Sequence, residues 1–267
     1  MTEKGPAGVP SKEWNAAAYR VVSEPQFVWG LRVLERVRLA GDERVLDAGC
    51  GSGRLTRVLA SRLERGFVVG CDLSENMARA ASKSLGGEAN SAVVRADLSM
   101  LPFRGAFDLI FSTATFHWIR DHDRLFAELR SALRSGGRLE AQCGGGPNLA
   151  TIHARADELA AAEPFRDAFG QWEEPWLFAS PDETTSRLQR AGFTSIDCWL
   201  EHAPTPFPDA ERFGAFVESV VMRPYLARLA DAVLRREFLD AIVTQAAQDE
   251  PAFTLDYWRL NISAATM

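Results

Sequence analysis

Asp47 is followed at alternate positions by Gly49, Gly51 and Gly53, within the segment VLDAGCGSGRLT that spans positions 45–56. Val45 and Leu46 end a short apolar run that suits a buried parallel strand. A helical pattern of Leu55, Val58, Leu59 and Leu63 begins directly after the glycines. Glycines at such a junction tolerate positive φ and let the backbone approach a ligand closely. In open α/β sheets, ligands bind at this edge, where the strands end. The spacing is not that of a dinucleotide fingerprint, because the third glycine of G-x-G-x-x-G would fall on Arg54. No G-K-[ST] triplet is present, so a phosphate-cradling P-loop is excluded. A carboxylate inside the loop suits a ligand that bears an ammonium and repels a pyrophosphate.

The elements that must position this loop follow in order. Phe67 to Cys71 reads as a second buried strand ending at Asp72, and Ser74 as the N-cap of a helix with Met77, Ala78 and Ala81 on its inner face. An acidic residue about 20 positions after a glycine loop is placed to accept ribose hydroxyls. Ala92 to Arg95 forms a third strand leading to Asp97 and Leu98, and Phe107 to Ser112 a fourth. Asp121 caps a helix whose apolar stripe is Leu125, Phe126, Leu129 and Leu133. Ser135, Gly136 and Gly137 make a turn into a fifth strand, Arg138 to Cys143. Strands and helices alternate regularly, which argues a doubly wound parallel sheet.

The D-x-G-x-G-x-G loop, Asp72 after the second strand and the Asp97–Leu98 pair after the third together resemble the class I S-adenosylmethionine-dependent methyltransferases. The stretch ATFHWIRDHDRLFAELRSALRSGGRLEAQCGG, with its H-W-x-x-D-H and the Gln after the fifth strand, resembles the trans-aconitate methyltransferase-like branch. The resemblance implies a seven-stranded, mostly parallel sheet whose last strand is antiparallel. It implies S-adenosylmethionine as cofactor, S-adenosylhomocysteine as product, and no metal. It places Asp47, Gly49, Cys50, Gly51, Gly53 and Ser112 around the cofactor, with Asp72 on the ribose, Leu73 packed on adenine and Asp97–Leu98 at the adenine edge. Tyr19 is placed near the cofactor's methionine carboxylate. The branch's arginine after that tyrosine has no counterpart, since Gln26, Phe27, Val28 and Trp29 occupy the region. A tricarboxylate acceptor is therefore disfavoured, because each of its charges needs a partner.

Transfer of an activated methyl asks mainly for alignment of a nucleophile. A base is needed only where the acceptor must lose a proton. His117, after the fourth strand and beside Trp118, is the candidate base or acceptor hydrogen-bonding group. Trp29, Trp118, Arg223 and Tyr225 are candidate substrate contacts. The expected reaction is methyl transfer to a small molecule on oxygen, with a carboxylate as one acceptor class. The alternatives are a cofactor-binding protein without transfer, or an N- or C-methyltransferase of a small metabolite.

A net charge of −6 with interspersed signs disfavours nucleic acid as a partner. The first residues lack the apolar region of a signal peptide, and no apolar run is long enough to cross a bilayer, so a cytoplasmic protein with no membrane partner is expected. Four cysteines without a C-x-x-C pair read as reduced thiols. A monomer or homodimer is expected. Residues 1–40 read as a helical N-terminal cap. Positions 41–204 and 251–267 form the Rossmann-like core, with a sixth strand at Phe193–Glu201 and the last at Thr254–Ile262. Residues 205–250, helical with a break at Pro224, are too long for a plain loop and read as a lid between strands six and seven.

Overall fold

A computed structural model describes residues 13–16 and 23–267. Its centre is a seven-stranded sheet in the order β3-β2-β1-β4-β5-β9-β6. The strands are β1 (Arg44–Ala48), β2 (Phe67–Asp72), β3 (Ser91–Arg95), β4 (Phe107–Thr113), β5 (Leu133–Gly144), β6 (Thr194–His202) and β9 (Trp258–Ala265). β1 to β5 pair in parallel, and β9 runs antiparallel to both β5 and β6. The expected doubly wound, mostly parallel sheet with an antiparallel last strand is the observed fold.

Strand alternation sends side chains to two separate cores. Val45, Leu109 and Phe111 meet Leu34 of helix α1 (Glu24–Arg36) and Leu59 of α2 (Arg54–Arg62) on one face. Leu46, Ala48 and Ile110 meet Leu125, Phe126 and Leu129 of α4 (His122–Ala132) and Leu188 of α7 (Pro181–Arg190) on the other. Helix α3 (Glu75–Leu85) packs beside α2 and takes its N-cap from Ser74, whose hydroxyl accepts from Met77 N. Asp121 caps α4 in the same way, accepting from Arg124 N.

Two expectations about the strands change. Helix α4 ends at Ala132, and Leu133 is already extended, so the fifth strand begins there without a separate turn. Gly136, with φ of +73°, and a register shift against β4 absorb the irregularity inside that strand. The last strand divides in two. Thr254–Leu255 (β8) pairs with Thr205–Pro206 (β7) in a separate two-stranded ribbon, and β9 starts only at Trp258.

A third hydrophobic cluster lies outside the sheet. It joins Trp29 of α1, Ile152 and Ala156 of α5 (Ala150–Ala160), and Phe169 of the short α6 (Arg166–Phe169). It also takes in residues of α8 (Ala210–Phe216), a π-helical turn at Val217–Val221, α9 (Arg223–Leu226) and α10 (Ala232–Ala246), and of connecting segments, such as Phe165, Trp176 and Tyr257. The helical path breaks at Met222 and again after Ala227, so Pro224 sits in the first turn of α9, where its missing N–H is tolerated. Among the described residues, no helix is long and apolar enough to cross a membrane.

Candidate active site

The carboxyl ends of β1 to β4 open onto a cleft of about 790 Å³. The glycine loop forms one wall. Gly49 N and Cys50 N both donate to Cys71 O, at 2.8 and 2.9 Å, which ties the loop to the end of β2. Gly49 and Gly51 line the cleft with φ of +81° and +54°. A Cβ on Gly49 would stand 2.1 Å from Thr115 Oγ1, whereas one on Gly51 would meet no protein atom within 4 Å. The first glycine is thus required by packing, and the second leaves a ligand direct access to the backbone.

Asp72 lines the same cleft and organises it. One carboxylate oxygen accepts from Gly51 N and the other from Ser74 N, both at 2.9 Å. Burial raises its pKa, opposed by these donors. Leu73, Asp97 and Leu98 line the cleft beside it, and Asp97 accepts from Ser99 N. These residues stand together as the spacing anticipates.

Asp47, Cys50, Gly53 and Ser112 stand behind that wall. Asp47 is 2% exposed and accepts from Thr56 Oγ1 at 2.6 Å. Burial first, and the nearby charge of Asp72, push its pKa up to about 7. Ser112 Oγ donates to Ala48 O and ties β4 to β1. The Cys50 thiol packs beside Gly70 and does not line the cleft. Gly53 brings α2 against Ala81 of α3, where a Cβ would approach to 2.9 Å. Tyr19 lies outside the described residues.

A second, smaller chamber of about 50 Å³ adjoins the cleft, and Trp14, Ala114 and Trp118 line both. Its walls are aromatic: Trp118, Trp176, Phe178 and Tyr257. His153 stacks on Trp176 with centroids 4.4 Å apart and planes 12° apart, and burial pushes its pKa down to about 4. Ala114 and Leu149, both lining the chamber, adopt left-handed φ of +54° and +59°. Non-glycine residues held there carry backbone strain, a common mark of functional sites.

His117 lines this chamber. Its Nδ1 accepts from Gly144 N at 3.2 Å, so the neutral ring carries its proton on Nε2. Burial, with the Arg259 guanidinium next, holds its pKa well below the ordinary value. With Nδ1 occupied, the neutral ring has only Nε2–H to offer, as a donor. His122, by contrast, sits buried over Phe116 O and lines neither cavity.

Arg259 is the residue that sequence reasoning missed. It is 3% exposed, lines the chamber and sits under the Trp29 ring, with Cζ 4.6 Å from the ring centroid. Its Nε donates to Gln142 Oε1 at 3.4 Å. Gln142 Nε2 and an Arg36 guanidinium nitrogen both donate to Asn261 Oδ1, at 2.8 and 2.7 Å. The available signal was a charged Arg259, with Asn261 two positions on, inside the last expected strand.

The remaining substrate candidates separate. Trp118 faces both cavities, and Trp29 serves as the ring above Arg259. Arg223 lines the cleft, stacked on Trp14 with Cζ 4.0 Å from its centroid. Tyr225 does not reach the site: it is fully buried, and its hydroxyl donates to Asp157 at 2.7 Å. Two residues along a helix point to nearly opposite sides, so Arg223 and Tyr225 cannot share a face.

Comparison with known proteins bears on the family and the fold. The methyltransferase-domain family profile matches residues 46–141. The chain is 32% identical over 224 residues to a trans-aconitate 2-methyltransferase of Rhizobium etli, covering 82% of this chain and 84% of that relative. It is 34% identical over 185 residues to a malonyl-[acyl-carrier protein] O-methyltransferase of Geobacter sulfurreducens, covering 68% of each chain. A phosphoethanolamine N-methyltransferase 2 of Haemonchus contortus, solved with S-adenosylhomocysteine, shares the fold. Its TM-score is 0.60 at 22% identity, over 94% of this chain and 56% of that one. With the loop, the strand order and the similarity in agreement, the chain belongs to the class I S-adenosylmethionine-dependent methyltransferases, in the trans-aconitate methyltransferase-like branch.

Proposed function

We propose that this enzyme methylates an oxygen of a small organic acid, with a carboxylate as the favoured acceptor group. The observation that carries the reading is the aromatic chamber containing Arg259, which joins the cofactor cleft at Ala114 and Trp118. A guanidinium in an apolar enclosure is a strong, planar partner for a carboxylate. The two relatives named above, a trans-aconitate methyltransferase and a malonyl O-methyltransferase, support an acidic acceptor by analogy. The small chamber favours a small molecule over nucleic acid, as does the net negative charge.

The cleft fits S-adenosylmethionine. The open space above Gly51 admits a ligand against the backbone, and a row of carboxylates and apolar side chains follows it. Asp72 would accept the ribose hydroxyls, Leu73 and Leu98 would flank the adenine, and Asp97 would take its edge. When bound, the cofactor supplies a methyl group on a positive sulfur; the acceptor oxygen's lone pair forms the C–O bond as the C–S bond breaks with its electron pair left on sulfur. A carboxylate acceptor has no proton to lose in that exchange. His117 then acts as a donor through Nε2–H, holding the acceptor oxygen that does not attack and orienting the one that does.

We propose further that the N-terminal segment and residues 205–250 cover the acceptor. Trp14 from the first and Val220, Val221 and Arg223 from the second line the two cavities. Covering elements exclude water and hold the acceptor in line.

Product analysis tests the reading. Labelled methyl transfer to a panel of small acids, followed by mass spectrometry, should give a base-labile methyl ester. A stable ether would move the acceptor to a hydroxyl, and a methyl on nitrogen or carbon would refute the oxygen assignment.

A further inference from the structure

We propose that His122 is a positioning residue for the transfer: through the Phe116 carbonyl it sets the one-turn helix Phe116–Trp118, which carries His117 and Trp118 to the two cavities. The inference rests on the reading of His117 as the donor that orients the acceptor, and it adds a residue behind that donor.

His122 acts only through its neighbours. Its ring is 3% exposed and lines neither cavity. Its Nε2 stands 3.0 Å from Phe116 O, and a carbonyl only accepts, so Nε2 carries the proton and donates. The same carbonyl accepts from Ile119 N at 2.9 Å, the bond that closes the turn. Both acceptor directions of one oxygen are thus used, one to form the turn and one to tie it to α4, which His122 opens. The arrangement carries a cost, because Nδ1 is buried with no partner among the described residues. An apolar side chain would fill this space without that cost. What histidine adds here is the Nε2–H.

The turn stands on a fixed base. Phe116 is fully buried and meets Phe126 edge-on with centroids 6.1 Å apart, and the His122 ring lies 5.5 Å from the same Phe126. Successive residues of a 3₁₀ turn point about 120° apart. With Phe116 seated in the core, the next two side chains face the cavities. The Phe116 carbonyl belongs to the peptide plane that enters His117, so a bond that fixes that plane limits the swing of the imidazole. Two further restraints reach His117 from elsewhere: Gly144 N on its Nδ1 at 3.2 Å, and Leu177 N on its carbonyl at 2.8 Å. His122 supplies the third, from the helix behind. Burial first, and Arg187 of α7 as well, lower the His122 pKa against the Phe116 bond and the carboxylates of Asp123 and Glu183. The ring stays neutral, with its one proton on the nitrogen that holds the turn.

Ring NMR on isotope-labelled enzyme saturated with S-adenosylhomocysteine tests this with no acceptor present. In the wild type, His117 and His122 should each show a single neutral Nε2–H tautomer at neutral pH. In His122→Leu, the His117 signals should move toward a mixture of the two tautomers. Hydrogen exchange of the Trp118 and Ile119 amides should become about 10-fold faster there, with β1 and β4 unchanged. His122→Gln, whose terminal amide can place an N–H where Nε2 stood, should restore both readouts. S-adenosylhomocysteine affinity, unchanged in both variants, is the control for folding. Wild-type His117 signals in His122→Leu, or no recovery in His122→Gln, would overturn the proposal. A wild-type His122 found as imidazolium, or with its proton on Nδ1, would overturn it with no variant, so the test stands even where His122→Leu does not fold. A product methylated on nitrogen or carbon would refute the oxygen reading and leave these outcomes as they are, since no acceptor enters them.

Discussion

The two halves of the site are built by different means. The half proposed to hold the cofactor is local: a glycine loop and two strand ends that present Asp72, Leu73, Asp97 and Leu98, all between Gly49 and Leu98. The half proposed to hold the acceptor is drawn from Trp14, Gln26, His117, His153, Val220 and Arg259, which lie far apart in sequence. Backbone geometry set by a sheet edge can be shared across a family. A pocket assembled from distant side chains can be changed one residue at a time, which is how one fold serves many acceptors.

The largest expected effect sharpens that contrast within the loop itself. Gly49→Ala puts a Cβ onto Thr115 at a left-handed φ. Strain and overpacking together should destabilise the protein by about 3 kcal/mol. Gly51→Ala, with open space around its Cβ, should lose only about 1–2 kcal/mol of stability and lose cofactor affinity instead. Chemical denaturation of both variants checks this, and equal losses of stability would remove the distinction between packing and access.

His117→Ala probes the acceptor half. As a donor that orients substrate, its loss should raise KM about 10-fold with kcat nearly unchanged. A fall in kcat of roughly 10²–10⁴ would mark it as a base after all. Steady-state kinetics separates the two.

Much of the cofactor half was legible in the sequence because it is local. The loop, Asp72, Asp97 and Leu98 need only strand periodicity and short spacings to be placed. Which loop residues face the cleft was not legible. Asp47 shares the face of Val45 on β1 and so turns toward Thr56 of α2, a matter of strand phase relative to a helix not yet packed. Ser112 was spent in the same way, on the Ala48 carbonyl. The acceptor half was hidden for a different reason. Arg259 lies more than a hundred residues from His117, and only the pairing of β9 with β5 makes them neighbours. Tyr225 was misplaced because flanking a proline says nothing about which side of a helix a residue takes.

A smaller effect concerns pH. The Asp47 carboxyl titrates near 7 in the folded protein against an ordinary 3.8. A raised carboxyl pKa contributes stability that is complete below about 4 and is lost as pH rises through about 7. The melting temperature of the ligand-free protein should therefore fall over that window, and Asp47→Asn, with no proton to release, should flatten its share of the slope. A slope unchanged in the variant would assign the effect elsewhere. Smallest is the change in dynamics: hydrogen exchange in the 205–250 segment should slow when cofactor and acceptor bind, more than in β1 or β4. Equal protection with and without ligands would make that segment a fixed packing cap.

The separation of the two halves is the central claim, and one calorimetric titration tests it most directly. S-adenosylhomocysteine is titrated into wild-type protein, Asp72→Ala and Arg259→Gln. Loss of the charge-assisted hydrogen bonds at Asp72 should weaken binding by about 1.5–3 kcal/mol, or roughly 10- to 100-fold, while Arg259→Gln should bind the cofactor as wild type does. Unchanged affinity in Asp72→Ala, or an equal loss in Arg259→Gln, would contradict the account.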